Sequence, residues 1–109
     1  LTIQFTEKVK DSVERVKFIL AAYNVGLGHV FDAMRLAEKN GKNPEKWEGN
    51  VAEMLLLKAK PEYYNDPVVH YGYCRGSEPY KYVKEIFSRF EHYQNIIQGN
   101  DSKLLSEVN

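Results

Sequence analysis

With 109 residues and fifteen basic side chains against fifteen acidic ones, the chain carries no formal net charge. It has room for one modest core and lacks the basic surplus with which a nucleic-acid binder neutralises phosphates, so no nucleic-acid partner is expected. The single cysteine, Cys74, excludes an internal disulfide.

No apolar run approaches the roughly 20 residues that span a bilayer. Nor does a charged start lead into an apolar stretch, as it would in a signal peptide. No membrane contact by this segment is therefore expected. The first residue is Leu1, and the chain is read as a piece of a longer protein.

In chain order, Thr6 to about Tyr23 predicts a helix, with Val9, Val13, Val16, Leu20 and Tyr23 on one face at steps of four and three. Ile19, Ala21 and Ala22 widen that face towards its C-terminal end. Gly26 and Gly28 interrupt the pattern. A second helix follows from about His29 to Asn40, striped by Val30, Met34 and Ala37 with Phe31 beside them. Asn40-Gly41 supplies a C-terminal stop.

Asn43-Pro44 predicts a short helical turn through Trp47, broken near Gly49. Asn50 is placed as the cap of a helix over Val51 to Ala59, which Pro61 ends. Residues 61–79, PEYYNDPVVHYGYCRGSEP, form a long Tyr/Gly/Pro-rich loop with room for a short extended segment from Val68 to Tyr73. Ser77 is the expected N-cap of a last helix running to about Gln98, with Val83, Ile86, Phe87, Phe90, Tyr93 and Ile97 on its apolar face. The expectation is one all-α domain over residues 1–98 and a flexible, mostly polar tail over 99–109.

Several chemistries are excluded by spacing. His29, His70, His92 and Cys74 stand at no zinc-ligand spacing, so no metal site is expected. Cys74 has His70 four residues away but no third group to complete a nucleophile. Gly26-Leu27-Gly28 follows a helix and lacks the third glycine and acidic partner of a dinucleotide site, so no cofactor is expected.

Tyrosine is the unusual abundance, with eight in the chain. Such rings either fill a small helical core with their hydroxyls at its margin or cover the apolar faces of sugars. Asn24, at a helix end beside Tyr23, reads equally as a C-cap or as a carboxamide aimed into a cleft. Glu78 and Tyr82, four apart, share one face of the last helix, although an acid in a first turn is favoured by the helix dipole alone.

Taken together, these segments resemble the goose-type-lysozyme-like lytic transglycosylases, which cleave the glycan strands of peptidoglycan. AAYNVGLGHV (21–30) is similar to their Ala-Tyr-Asn-x-Gly motif, and ERVKFILAAYNVG (14–26) to the helix that enters it. GSEPYKYVKEIFSRFEHY (76–93) resembles their last motif, an acid followed four positions later by Tyr-Val. KWEGNVAEML and YGYCRG look like the membrane-bound lytic murein transglycosylase F subgroup. The resemblance covers about Phe5 to Gln94 and implies the C-terminal helical portion of a lysozyme-like domain.

It also implies roles. Tyr23 would help orient the catalytic acid, and Asn24 would hydrogen-bond substrate or cleft backbone. Glu78 would contact the sugar's N-acetyl group or a neighbouring tyrosine, and Tyr82 would face the catalytic carboxyl. Gly26 and Gly28 would allow the chain reversal. The family's catalytic glutamate stands in an upstream Glu-Ser motif followed by a Gly-Leu-Met-Gln segment, and neither occurs here. No catalytic residue is thus expected in this chain; the general acid belongs upstream, and the fragment alone is expected to be inactive.

The implied substrate is the peptidoglycan glycan strand, cleaved at the bond between N-acetylmuramic acid and N-acetylglucosamine with a 1,6-anhydro product. The implied location of the parent is the periplasm or the outer membrane. Self-association through the face left open by the missing half is a further expectation. The rival reading is a non-catalytic helical module that binds glycan or protein on the same scaffold.

Overall fold

The computed structural model describes residues 2–98, and the expected tail at 99–109 lies outside them. Six α-helices follow one another: α1 (Thr2–Thr6), α2 (Ser12–Val25), α3 (Leu27–Lys39), α4 (Ala52–Leu57), α5 (Pro61–Tyr64) and α6 (Ser77–Ile97). Among the described residues there is no strand, and the extended segment allowed for Val68 to Tyr73 is irregular loop. The all-α expectation holds.

The helix expected from Thr6 starts only at Ser12, because α1 ends at Thr6 and a break at residues 7–11 separates the two. Asp11 makes that break. Its carboxylate accepts from the Val13 and Glu14 amides at 2.9 and 3.0 Å, the N-cap geometry that starts a helix. Arg15 then ties the linker down, donating to the carbonyls of Val9 and Lys10. Freed from α2, Phe5 and Val9 bury completely. The Phe5 ring packs between Phe18 and Phe31, with centroids 5.8 and 5.6 Å away.

The buried side of α2 also differs from the expected stripe. Phe18, Ala21 and Ala22 face the core, whereas Val13 is 43% exposed and Tyr23 76% exposed. At 100° per residue, Val13, Val16, Leu20 and Tyr23 lie on the opposite side of the helix. On that far side Val13 and Tyr23 stand open, while Val16 and Leu20 are half-buried.

Gly26 reverses the chain. Its φ of 102° is open to glycine, and its amide closes α2 on the Ala22 carbonyl at 2.8 Å. Gly28 takes no part in that turn, because α3 already begins at Leu27. The expected stripe of α3 is correct: Val30, Met34 and Ala37 are buried. So is its stop. The Lys42 amide reaches the Ala37 carbonyl at 2.8 Å, with Gly41 at φ 76°.

Asn43 does not open a helix. Its side chain accepts from the Glu45 amide within a turn, while its own amide donates to Asn50 Oδ1 at 2.9 Å. Asn50 is thereby spent on this turn, so α4 starts at Ala52 without a side-chain cap. Between them, Trp47–Val51 is a tight kink with Gly49 at φ 71°. The Trp47 ring is buried edge-on against Phe18 at 5.6 Å, and its amide donates to Glu14 Oε1 at 2.8 Å. Pro61 opens α5 as its first residue, a position where a missing N–H costs nothing.

The N-cap of α6 is Gly76 instead of Ser77. A Cβ at Gly76 would stand 2.1 Å from the Leu55 carbonyl oxygen, so glycine is there to let α6 abut α4. Val83 is buried, Ile86, Phe87 and Phe90 are half-buried, and Tyr93 and Ile97 are exposed. The C-terminal part of α6 thus carries its apolar face without cover among the described residues.

Candidate functional site

Tyr23 and Asn24 sit on the last turn of α2, and both are exposed. Glu78 lies exposed in the first turn of α6, and Tyr82, one turn later, is half-buried against the core. Among the described residues no hydrogen bond, ion pair or ring contact joins any of the four to another. Asn24 is not the C-cap of α2, a place that Gly26 fills. Its carboxamide is therefore left to solvent at the helix end.

A cavity of about 330 Å³ lies elsewhere, against Lys17, Trp47, Tyr80, Val83, Phe87 and Glu91. On α6, positions 80, 83, 87 and 91 fall on one side, and 78 and 82 fall on the other. The concavity and the motif residues therefore occupy opposite faces of the same helix.

The densest polar constellation was not legible as a site. Asp32 and Lys58 are both fully buried, with Lys58 Nζ donating to Asp32 Oδ2 at 2.7 Å. Arg35 pairs with Asp32 Oδ1. The amides of His70 and Tyr71 donate to the same carboxylate at 2.8 and 2.9 Å. Lys58 Nζ also donates to His29 Nδ1 at 2.8 Å.

This arrangement moors the tyrosine loop. Along α3, Gly28, Asp32, Arg35 and Lys39 recur at steps of four, three and four, a single stripe. The Tyr71 ring lies where a Cβ of Gly28 would be, 2.7 Å away. Arg35 Nε donates to the Val68 carbonyl at 2.8 Å, and Lys39 Nζ reaches Asp66 Oδ2 at 2.7 Å. A polar stripe that would ordinarily meet water is here the keel of the loop.

Burial drives the Asp32 carboxyl upward, but the His70 amide, the Lys58 ammonium and the Tyr71 amide together hold it below the usual carboxylate range. Burial and the adjacent Lys58 lower His29, against a smaller opposing pull from Asp32. Burial raises the Cys74 thiol. Cys74 is enclosed, and its amide donates to the Lys58 carbonyl at 3.3 Å. The hub is thus a fixed charge pair and a poor source of protons. Among the described residues no three His, Cys, Asp or Glu side chains gather closely enough to hold a metal ion.

Comparison with known proteins adds a family to this geometry. A protein of Maricaulis maris is 48% identical over 98 residues, covering 87% of this chain and 20% of its own length. One of Haemophilus influenzae is 45% identical over 86 residues, covering 79% of this chain and 17% of its own. One of Pasteurella multocida is 39% identical over 108 residues, covering 96% and 21%. All three bear one name.

The chain is similar to a segment of membrane-bound lytic murein transglycosylase F. The resemblance drawn from the Tyr-Asn motif and the Glu78 to Val83 motif is thereby borne out. The chain spans about one fifth of the length of the transglycosylase F relatives it matches. No family profile matches it. The relatives are membrane-bound by name, whereas no described helix of this chain is long and apolar enough to cross a membrane.

Proposed function

We propose that this chain is the C-terminal part of a lytic transglycosylase domain that acts on peptidoglycan in the bacterial cell envelope, periplasmic or at the outer membrane. The observation that carries the reading is its 48% identity, over 87% of the chain, to a lytic murein transglycosylase F. The parent cleaves the bond between N-acetylmuramic acid and N-acetylglucosamine. A glutamate upstream of this chain protonates the leaving oxygen. It then serves as base while the muramyl 6-hydroxyl closes the 1,6-anhydro ring, unlike the two-carboxylate scheme in which water completes the reaction.

In this reading, Tyr23 and Asn24 from α2 and Glu78 and Tyr82 from α6 line the cleft around that acid. The exposure of Tyr23 and Asn24 fits a wall that waits for its other half. The side of α2 that carries the exposed Val13 and Tyr23 receives the upstream part of the domain. Without that part the fragment pairs with itself through the same face. The carboxyls that the fold perturbs, Asp11, Asp32 and Asp66, are all held ionised below the usual range, the wrong direction for a general acid.

The test is digestion of purified peptidoglycan by the fragment and by the parent chain with its upstream sequence. The parent releases 1,6-anhydromuropeptides and the fragment releases none. Anhydro products from the fragment alone would overturn the division of labour. A parent with no upstream Glu-Ser motif and no activity would favour the binding-module reading.

A further inference from the structure

Tyr71 is seated by two neighbours on the first turn of α3. Its ring fills the notch left by Gly28, where a Cβ would lie 2.7 Å from Cε2. It also meets the His29 ring edge-on, with centroids 6.3 Å apart and planes at 62°. His29 is held in turn by Lys58, whose Nζ donates to Nδ1 at 2.8 Å. To accept that bond Nδ1 carries no proton, so the imidazole is the neutral tautomer protonated on Nε2.

We propose that His29 is a proton-operated catch for Tyr71: neutral, it clips to Lys58 and seats the ring; protonated, it lets go. An imidazolium has no lone pair to offer Lys58, and it would stand beside a buried ammonium. The groups facing the His29 ring are Lys58 from the end of α4, Asp32 from α3 and Tyr71 from the loop. Asp32 cannot rescue the charged ring. Oδ1 already accepts from Arg35 and the His70 amide, and Oδ2 from Lys58 and the Tyr71 amide, which fills the carboxylate's acceptor sites.

The only relief is for the half-buried ring to turn out to water. That removes the edge on which Tyr71 rests. Tyr71 is already 62% exposed, and its ring is then left with the Gly28 notch. The Asp32 bonds to the loop backbone remain, so the release is of a side chain and not of the whole loop. The catch acts on the chain's own loop and requires no glycan, so it stands apart from the transglycosylase reading.

The experiment is proton NMR on the chain at about pH 7.5 and at a pH below the midpoint of the His29 ring proton, which burial and Lys58 set under the ordinary histidine value. Cross-relaxation between the Tyr71 ring protons and the Gly28 α-protons is expected at the higher pH and lost at the lower. In His29→Gln, which accepts from Lys58 without titrating but offers Tyr71 no ring edge, the contact is the same at both. Persistence at low pH in the unaltered chain overturns the proposal, as does an equal loss in His29→Gln. Should that variant not fold, the unaltered chain still decides. The Tyr71 ring shifts must follow the same midpoint as the His29 ring proton, and separate midpoints overturn the catch.

Discussion

Lys58 Nζ lies 2.7 Å from Asp32 Oδ2 with neither side chain reachable by water. Desolvation of two charges largely offsets their attraction, so the pair as a whole is weak stabilisation. Removal of one partner is a different matter: without Asp32 the buried Lys58 ammonium loses its counter-charge, whereas without Lys58 the carboxylate keeps Arg35 and the His70 and Tyr71 amides. Asp32→Asn should cost about 3–5 kcal/mol, and Lys58→Met less. The double change Asp32→Asn with Lys58→Met should cost less than the sum of the two single changes. Urea denaturation of the four proteins checks this, and additive losses would mean that the two residues are not coupled.

Acid should weaken the fold in two separate windows. His29 titrates lower in the folded chain than its ordinary 6.5, because burial and Lys58 disfavour its charge. The unfolded chain therefore binds the proton first, and stability falls as pH drops below about 6.5. Asp32 is depressed below 3.8. Its contribution is fully present above that value and disappears as pH falls through the folded pKa. Urea midpoints taken against pH should show both declines, and His29→Gln should remove only the upper one.

Gly76 and Gly28 look alike in sequence but should respond differently to alanine. At Gly76 the new methyl meets the Leu55 carbonyl at 2.1 Å, which is backbone and cannot step aside. Overpacking of about 1–3 kcal/mol or more is expected. At Gly28 the obstacle is the far end of the exposed Tyr71 ring, which can swing away. Thermal melts should drop clearly for Gly76→Ala and only slightly for Gly28→Ala, with Tyr71 displaced in the latter.

Cys74 should be slow to alkylate at mildly alkaline pH. It is 3% exposed, and burial raises its thiol, so both access and thiolate fraction are low. Asp32→Asn, by loosening the backbone that leads into Cys74, should speed the reaction with iodoacetamide. An equal rate in the two proteins would show that the thiol is shielded independently of the hub.

The sequence carried the helices well where one face alternates with water, as in α3 and in the first half of α6. It misled on α2, which is apolar on both sides, so periodicity alone had no means to choose Phe18, Ala21 and Ala22 over Val13, Val16 and Leu20. Asp11 with Glu14 three residues on is a capping signal that marks the start of α2 inside the longer stripe. The asparagines at 43 and 50 looked like helix caps because their side chains compete for backbone amides; here they cap a turn and each other. Asp32 and Lys58 were hidden for a different reason. A charge inside an apolar stretch reads as a surface residue until its partner, 26 positions away, is brought to it.

That separation has a kinetic meaning. Besides its neighbour Arg35, the Asp32 carboxylate is satisfied by groups 26, 38 and 39 residues further along the chain. Loops of that length must close before the charge is compensated, and closure entropy rises with each. The loop is therefore expected to dock after α3 and α4 have met. Changes at Asp32 should speed unfolding far more than they slow folding, leaving the folding limb of the chevron nearly still.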